Sequence, residues 1–300
     1  MKFIQHFYLL AIGMCITLQS CKETPPYINF VKANVASDTS YVALPAPTPE
    51  IKNVLIEEFT GVQCPNCPAA QLEARTIADN NPGRINLITV HPLGKLDPLT
   101  RPFDPAKGDD YKSKYDFRTL AGAQIFEMVG ISNSLPIGNI NRKLFTTETS
   151  SNIDYQKWSA KVLEELNIST PVNISVSANN SGDSINIELT LKYTEAVTDS
   201  HYITLAVVES EITDVQEGRD MNNKTIFDEK YVHKHVLRAI VTDYFGDLLK
   251  AKLEPGRIFN KKYTYLRDIS WVKTNLEVVA FIHLNTVKKN VIHSKETHVK

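Results

Sequence analysis

Two cysteines three residues apart, Cys64 and Cys67 in the stretch "EEFTGVQCPNCPAA", have the residue type and spacing for chemistry. A C-x-x-C pair supports thiol–disulfide exchange, a metal clasp or a short structural disulfide. In the chain-entropy model so short a loop gains only about 2 kcal/mol from closure, against about 4.7 for a loop of 100 residues. Stability alone is therefore a weak reason to bridge these positions. Zinc needs further ligands, and no second cysteine pair exists; His91 is the nearest candidate and suits packing or a loop contact better. Haem attachment needs C-x-x-C-H, and Pro68 stands where that histidine belongs. No metal or other cofactor is expected, and the redox and structural uses both stay open.

The elements around the pair decide how reactive it can be. "NVLIEEFTG", from Asn53, is a β-branched and aromatic run that predicts a strand. "CPNCPAAQLEARTIADN" then carries helical spacing in Ala70, Leu72, Ile77 and Ala78, with "NNPG" as its stop signal. The pair thus falls where a strand passes into a helix. Unpaired N–H groups and the positive end of the dipole at a helix start favour a thiolate, lowering a thiol pKa from about 8.5 into a range of roughly 3.5 to 7.5. This makes Cys64 the attacking sulfur and Cys67, one turn into the helix, the resolving one. Pro65 suits a first helical position, and Pro68 is tolerable within the first turn.

Further along, "RINLITVHP" reads as a second strand, and the continuous apolar character of both strands suits a sheet covered on both faces. Residues 110–130 predict one or two helices, "IGNINRKLF" a strand, and "NIDYQKWSAKVLEELN" an amphipathic helix carrying Trp158, Val162, Leu163 and Leu166. After Thr170-Pro171 the period becomes alternating. "VNISVSA", "INIELTLKY", "YITLAVVES", "HKHVLRAIVTDY", "KKYTYLRD" and "NLEVVAFIHLN" are strand candidates. The expected organisation is an α/β domain over 51–168 followed by an all-β sandwich over 169–300. On that reading His233 and His235 alternate along one strand and share a face; with no third ligand in view, packing or surface placement is expected.

The N-terminus bounds the compartment. Met1-Lys2 followed by the largely apolar Phe3–Leu18 reads as a signal peptide over 1–20, too short to span a bilayer. "LQSC", Leu18 to Cys21, resembles the bacterial lipobox, which makes Cys21 the expected lipid anchor and a membrane the expected partner. Residues 21–50 form a Pro-rich tether, with one strand-like stretch around Tyr27 to Val35. Cys15 leaves with the signal, so Cys64 and Cys67 have only each other in an oxidising location. With 33 basic and 34 acidic residues and a net charge of -1, the chain offers no electrostatic reason for a nucleic-acid partner.

The strand–C-x-x-C–helix unit resembles the thioredoxin superfamily. The longer phrase "VLIEEFTGVQCPNCPAA", together with "YVHKHVLRAIV" at Tyr231 to Val241, resembles the Omp28-related lipoproteins of Bacteroidetes, over most of residues 50–284. That resemblance implies a thioredoxin-like α/β domain followed by an immunoglobulin-like β-sandwich. It also implies an outer-membrane location, on the periplasmic or cell-surface face. Two positions carry over. Glu58, six residues before Cys64, takes the place of the buried group that relays a proton to the resolving thiol, although strand alternation is expected to admit only one of Glu57 and Glu58 to the interior. Pro136, with Leu135 before it, takes the place of the cis-proline that faces the pair and shapes a peptide site. The function implied is thiol–disulfide exchange on extracytoplasmic proteins. The alternative is a non-enzymatic surface protein whose β-rich half binds a protein or glycan and whose Cys64–Cys67 pair is a structural disulfide.

Overall fold

Apolar side chains on both faces of β2 (Val54–Phe59) and β3 (Ile85–Pro92) bury every residue of these two parallel strands. They are joined by α1 (Cys67–Asp79). In this computed structural model, residues 34–94, 96–130 and 132–300 are described. The signal peptide and the lipidation expected at Cys21 lie outside the described residues. No described helix is long and apolar enough to cross a membrane.

β2 spends its other edge on β5 (Ile137–Ile140), antiparallel, and β5 pairs with β6 (Asn152–Ile153). The free edge of β3 determines the rest. Beside it lies β12 (Val236–Ile240), parallel, with Val236 opposite Thr89, and the Thr89 N–H donates to the His235 carbonyl at 2.8 Å. β12 in turn pairs with β9 (Tyr202–Glu209), β9 with β15 (Leu276–His283), and β15 with β16 (Val291–His298). With β13 (Asp247–Leu248) on β9 and β4 (Arg118–Thr119) on β3, this makes one ten-stranded sheet.

The expected thioredoxin-like α/β domain followed by an immunoglobulin-like sandwich is therefore not what the chain builds. The described protein is mostly strand, and its central sheet takes strands from both halves of the sequence. The physical reason is that β3 is apolar on both faces and would otherwise present a bare hydrogen-bonding edge, which proteins rarely leave open. Residues 110–119, expected to be helical, hold only β4, and the helix there is α2 (Leu120–Val129).

Three packed layers follow. On one face of the large sheet, α1 and α3 (Trp158–Glu165) enclose Val54, Ile56, Leu87, Ile140 and Trp158. On the other, α2 contributes Ile125, Phe126 and Val129 to a cluster with Phe59, Val90, Leu237 and Phe281. A four-stranded sheet, in the order β1 (Asn34–Val42), β14 (Arg257–Leu266), β8 (Ser184–Tyr193) and β7 (Val172–Ser181), packs Ile185, Ile187, Leu191 and Phe259 against Leu205, Val207, Val278 and Ala280. β1 comes from the stretch expected to be tether and runs antiparallel to β14.

Because both faces are covered, Glu57 and Glu58 are both buried, on opposite sides, which corrects the expectation that only one enters the interior. Glu57 receives two hydrogen bonds from Arg142, at 2.5 and 2.7 Å, and the guanidinium lies 4.9 Å from the centre of the Phe281 ring. Gly138 on β5 has no substitute here, since a Cβ would stand 2.5 Å from Cζ2 of Trp158 and 2.6 Å from the Glu57 carbonyl oxygen. Removing one partner of a buried ion pair strands the other charge. Arg142→Met should cost about 3–5 kcal/mol in urea unfolding, and the double variant Glu57→Leu/Arg142→Met should recover most of it. Equal losses in the single and double variants would show that the stranded carboxylate is not the cause.

Candidate functional site

The chain leaves β2 and turns through residues 60–66 before α1 begins. Gly61 makes this turn possible, because a Cβ there would collide with the Leu99 carbonyl. The turn is pinned from the side by the Gln63 N–H, which donates to Leu99 O at 3.0 Å, and by Gln63 Nε2, which donates to Arg101 O at 3.1 Å. Cys64 lies in the turn, and Cys67 is the first helical residue rather than one turn inside; its N–H donates to Cys64 O at 3.1 Å. Pro68 falls in the first turn, where a missing N–H costs nothing. The two cysteines are joined as a disulfide, with Cα atoms 5.4 Å apart.

Both are sealed from solvent: Cys64 is 1% exposed and Cys67 0%. The cover is a hairpin of β10 (Ile212–Arg219) and β11 (Thr225–His233), which forms a two-stranded sheet of its own. It is fastened to the cysteine turn by four hydrogen bonds. The Glu217 N–H donates to Val62 O at 2.8 Å, Gln216 Nε2 to Gly61 O at 3.1 Å and Cys64 O at 3.4 Å, and Arg219 Nε to Asn66 Oδ1 at 3.3 Å. From the far side, Phe227 stacks on Tyr111 and meets the edge of Phe103, so the loop after β3 braces the hairpin too.

Glu58 is buried on the α1 face of β2, and its Oε1 has no hydrogen-bond partner. Burial pushes its carboxyl up to about 8, opposed only by Arg75. Nearby, Tyr231 from β11 hydrogen-bonds through its hydroxyl to Gln71 Oε1, and Gln71 Nε2 donates to Thr60 Oγ1 at 3.1 Å. Burial also raises the Tyr231 hydroxyl, with Arg75 lowering it and Glu58 raising it further. Leu135 shares an apolar cluster with Cys64, Cys67, Phe59 and Phe126. The Leu135–Pro136 bond is cis, and Pro136 leads directly into β5, whose Ile137 lies opposite Phe59. The fold thus gathers Cys64, Cys67, Glu58 and Leu135–Pro136 around the end of β2.

The histidines sort differently from expectation. His233 ends β11, whereas His235 lies beyond it with φ of 52°, so the two do not alternate along one strand. His233 enters the interior beside His91, with ring centres 6.4 Å apart and Phe117 packed at 4.7 and 5.1 Å from them. None of their four ring nitrogens has a partner, and burial pushes His91 well below the ordinary histidine range and His233 down to about 3. Both act as neutral aromatic packing. Sequence reasoning missed Gln216, Arg219, Gln71 and Tyr231. A signal existed for Tyr231 alone, which shares the "YVHKH" phrase with His233. An open cleft lined by Lys52, Lys143, Glu165 and His201 includes none of the residues around the cysteine pair.

Fold and site together define a β-rich protein with a C-x-x-C disulfide enclosed where two parts of the chain meet in one sheet. The model of the outer membrane protein Omp28 family matches residues 124–300, more than half of the sequence, and the chain belongs to that family. Among solved structures, HBP35 of Porphyromonas gingivalis is similar with a TM-score of 0.62 at 18% identity, over 83% of this chain and 75% of that one. Protein AGR_C_4864 from Agrobacterium tumefaciens is a weaker likeness, with a TM-score of 0.45 at 13% identity over 84% and 96%. No curated protein matches the sequence.

The state of Glu58 sets a pH dependence. Unfolded, its carboxyl ionises near 4.5; folded, it keeps its proton to about 8. Between these values the folded form binds more protons, so stability falls as pH rises, by at most about 1.4 kcal/mol per pH unit. Glu58→Gln should remove this slope, and its advantage over the natural chain in urea midpoint should be larger at pH 8 than at pH 5. An advantage independent of pH would show that Glu58 is not the titrating group.

Proposed function

We propose that this outer-membrane family member is a lipid-anchored extracytoplasmic protein, held to the membrane through Cys21, whose Cys64–Cys67 pair exchanges disulfides with protein thiols. The anchor is supported by the "LQSC" phrase alone. The exchange reading is supported above all by the buried, proton-bearing carboxyl of Glu58, whose Oε1 has no hydrogen-bond partner, on the strand that leads directly into the pair. A short structural disulfide has no use for such a group, and burying one is costly.

In the oxidised form seen here, a substrate thiolate attacks Cys64 Sγ. A substrate–Cys64 disulfide forms, the Cys64–Cys67 bond breaks, and Cys67 leaves as a thiolate that takes the proton of Glu58. A second substrate thiolate then attacks its partner sulfur in the mixed disulfide and expels Cys64 as a thiolate. The substrate has lost two electrons and gained a disulfide, and the pair is reduced. The reverse sequence reduces a substrate disulfide. Because both sulfurs are covered, either direction requires the β10–β11 hairpin to lift, and Leu135 and Pro136 then border the exposed pair.

Burial of both sulfurs favours a second reading, in which the disulfide is structural and the strand-rich remainder binds a protein or glycan at the surface. Cys67→Ser separates the two. Exchange predicts reductant-sensitive adducts of Cys64 with envelope proteins, absent from Cys64→Ser, and a reduction potential above about -300 mV. No adducts together with a potential below that value would leave the structural reading. Gln216→Ala, which loosens the cover, should speed reduction of the pair by dithiothreitol several-fold; an unchanged rate would show that the hairpin is not the gate.

A further inference from the structure

On the face of the large sheet that carries α2, two strands and the turn before β12 bring together a set of donors that the reading above does not use. One ligand atom each from His235, Glu277 and Glu296 lies within 4.8 Å of the other two. His235 Nδ1 is 3.3 Å from Glu277 Oε2, and His298 Nδ1 is 3.4 Å from Glu277 Oε1. We propose that His235, Glu277 and Glu296, with His298 at the rim, bind a divalent transition ion of the zinc type.

The backbone places these groups independently of one another. Glu277 is opposite His298, and Glu296 opposite Val279, in the β15–β16 ladder, so both carboxylates and the His298 ring share one side. His235 reaches them across the end of β9. Its position is fixed by its N–H, which donates to Ser210 Oγ at 3.0 Å, and by its carbonyl, which accepts from Thr89.

Two observations point to an ion rather than to ordinary ion pairs. The Nδ1 atom of His235 is buried and lacks a hydrogen bond of acceptable geometry, although Glu277 Oε2 is 3.3 Å away. Among the described residues no lysine or arginine pairs with Glu277 or Glu296, and the recorded partners of Glu277 are the two imidazoles of His235 and His298. Tetrahedral zinc with bonds of about 2.0–2.1 Å holds its ligand atoms roughly 3.3–3.4 Å apart, and His235 Nδ1 and Glu277 Oε2 are 3.3 Å apart. Imidazole among the donors selects a borderline ion, since calcium and magnesium take oxygen ligands. The ion would tie the start of β12 to β15 and to the C-terminal strand.

The test uses the full chain with its disulfide closed, stripped by chelator and titrated calorimetrically with zinc chloride. The expected result is one equivalent bound. X-ray absorption should then report only nitrogen and oxygen neighbours at about 2.0–2.1 Å, which separates this site from any binding at cysteine. Glu296→Gln, which preserves size, and His235→Ala should each weaken binding by about tenfold or more; His298→Ala, an exposed position, should weaken it less. Absence of saturable one-to-one binding, sulfur in the zinc shell, or unchanged affinity in both Glu296→Gln and His235→Ala would overturn the proposal.

Discussion

The edge of β3 is where the molecule is joined. β2 and β3 are buried on both faces, and a strand of that kind has to continue into another strand or be capped. Here β12 supplies the continuation through a short parallel contact, one register pair wide and reinforced by the hydrogen bond from Thr89 to His235. Within the large sheet this is the strand pairing that joins the elements after residue 200 to the first half, with β16 adding hydrogen bonds of its own, from the Val291 N–H to Asn141 O and from Asn86 Nδ2 to Ser294 Oγ. Because the joint is narrow, its neighbours carry much of the fixation: the hairpin on one side and the Arg142–Glu57 pair under Phe281 on the other.

The same seam explains why the cysteine turn is interior. In an open α/β unit the end of β2 would face solvent, as the ends of such strands commonly do. In this chain, β10 and β11 lead into β12, so placing β12 against β3 lays the hairpin over the turn. Gln216, Glu217 and Arg219 then satisfy the polar groups of residues 61–66 that water would otherwise serve. The cost of burying Glu58 is borne by the proton it keeps, as the low dielectric demands.

Much of the site was legible in local pattern. The strand around Leu55 and the helix after Cys67 follow from apolar periodicity, whereas the inward position of Glu58 was implied by the resemblance to thioredoxins and not by strand alternation, which left Glu57 and Glu58 as rivals. The architecture was not, because the pairing of Thr89 with Val236 is a long-range choice between edges that leaves no mark on either segment. The hairpin was missed for a related reason. "TIFDEKYVH" is almost wholly exposed in β11 and carries charges where a buried strand would alternate, so it reads as a loop. His235 was misplaced because a non-glycine residue with positive φ interrupts the alternation that its neighbours suggest.

Gln216 follows Cys64 by 152 residues. A chain made and exported from its N-terminus therefore presents the cysteine turn long before its cover exists, while local contacts such as the β2–α1–β3 unit can already form. During that early period any thiol or oxidant nearby can reach the pair. In the finished protein the same thiols and oxidants reach the pair only past the hairpin, so one structural element separates an open early period from a guarded late one.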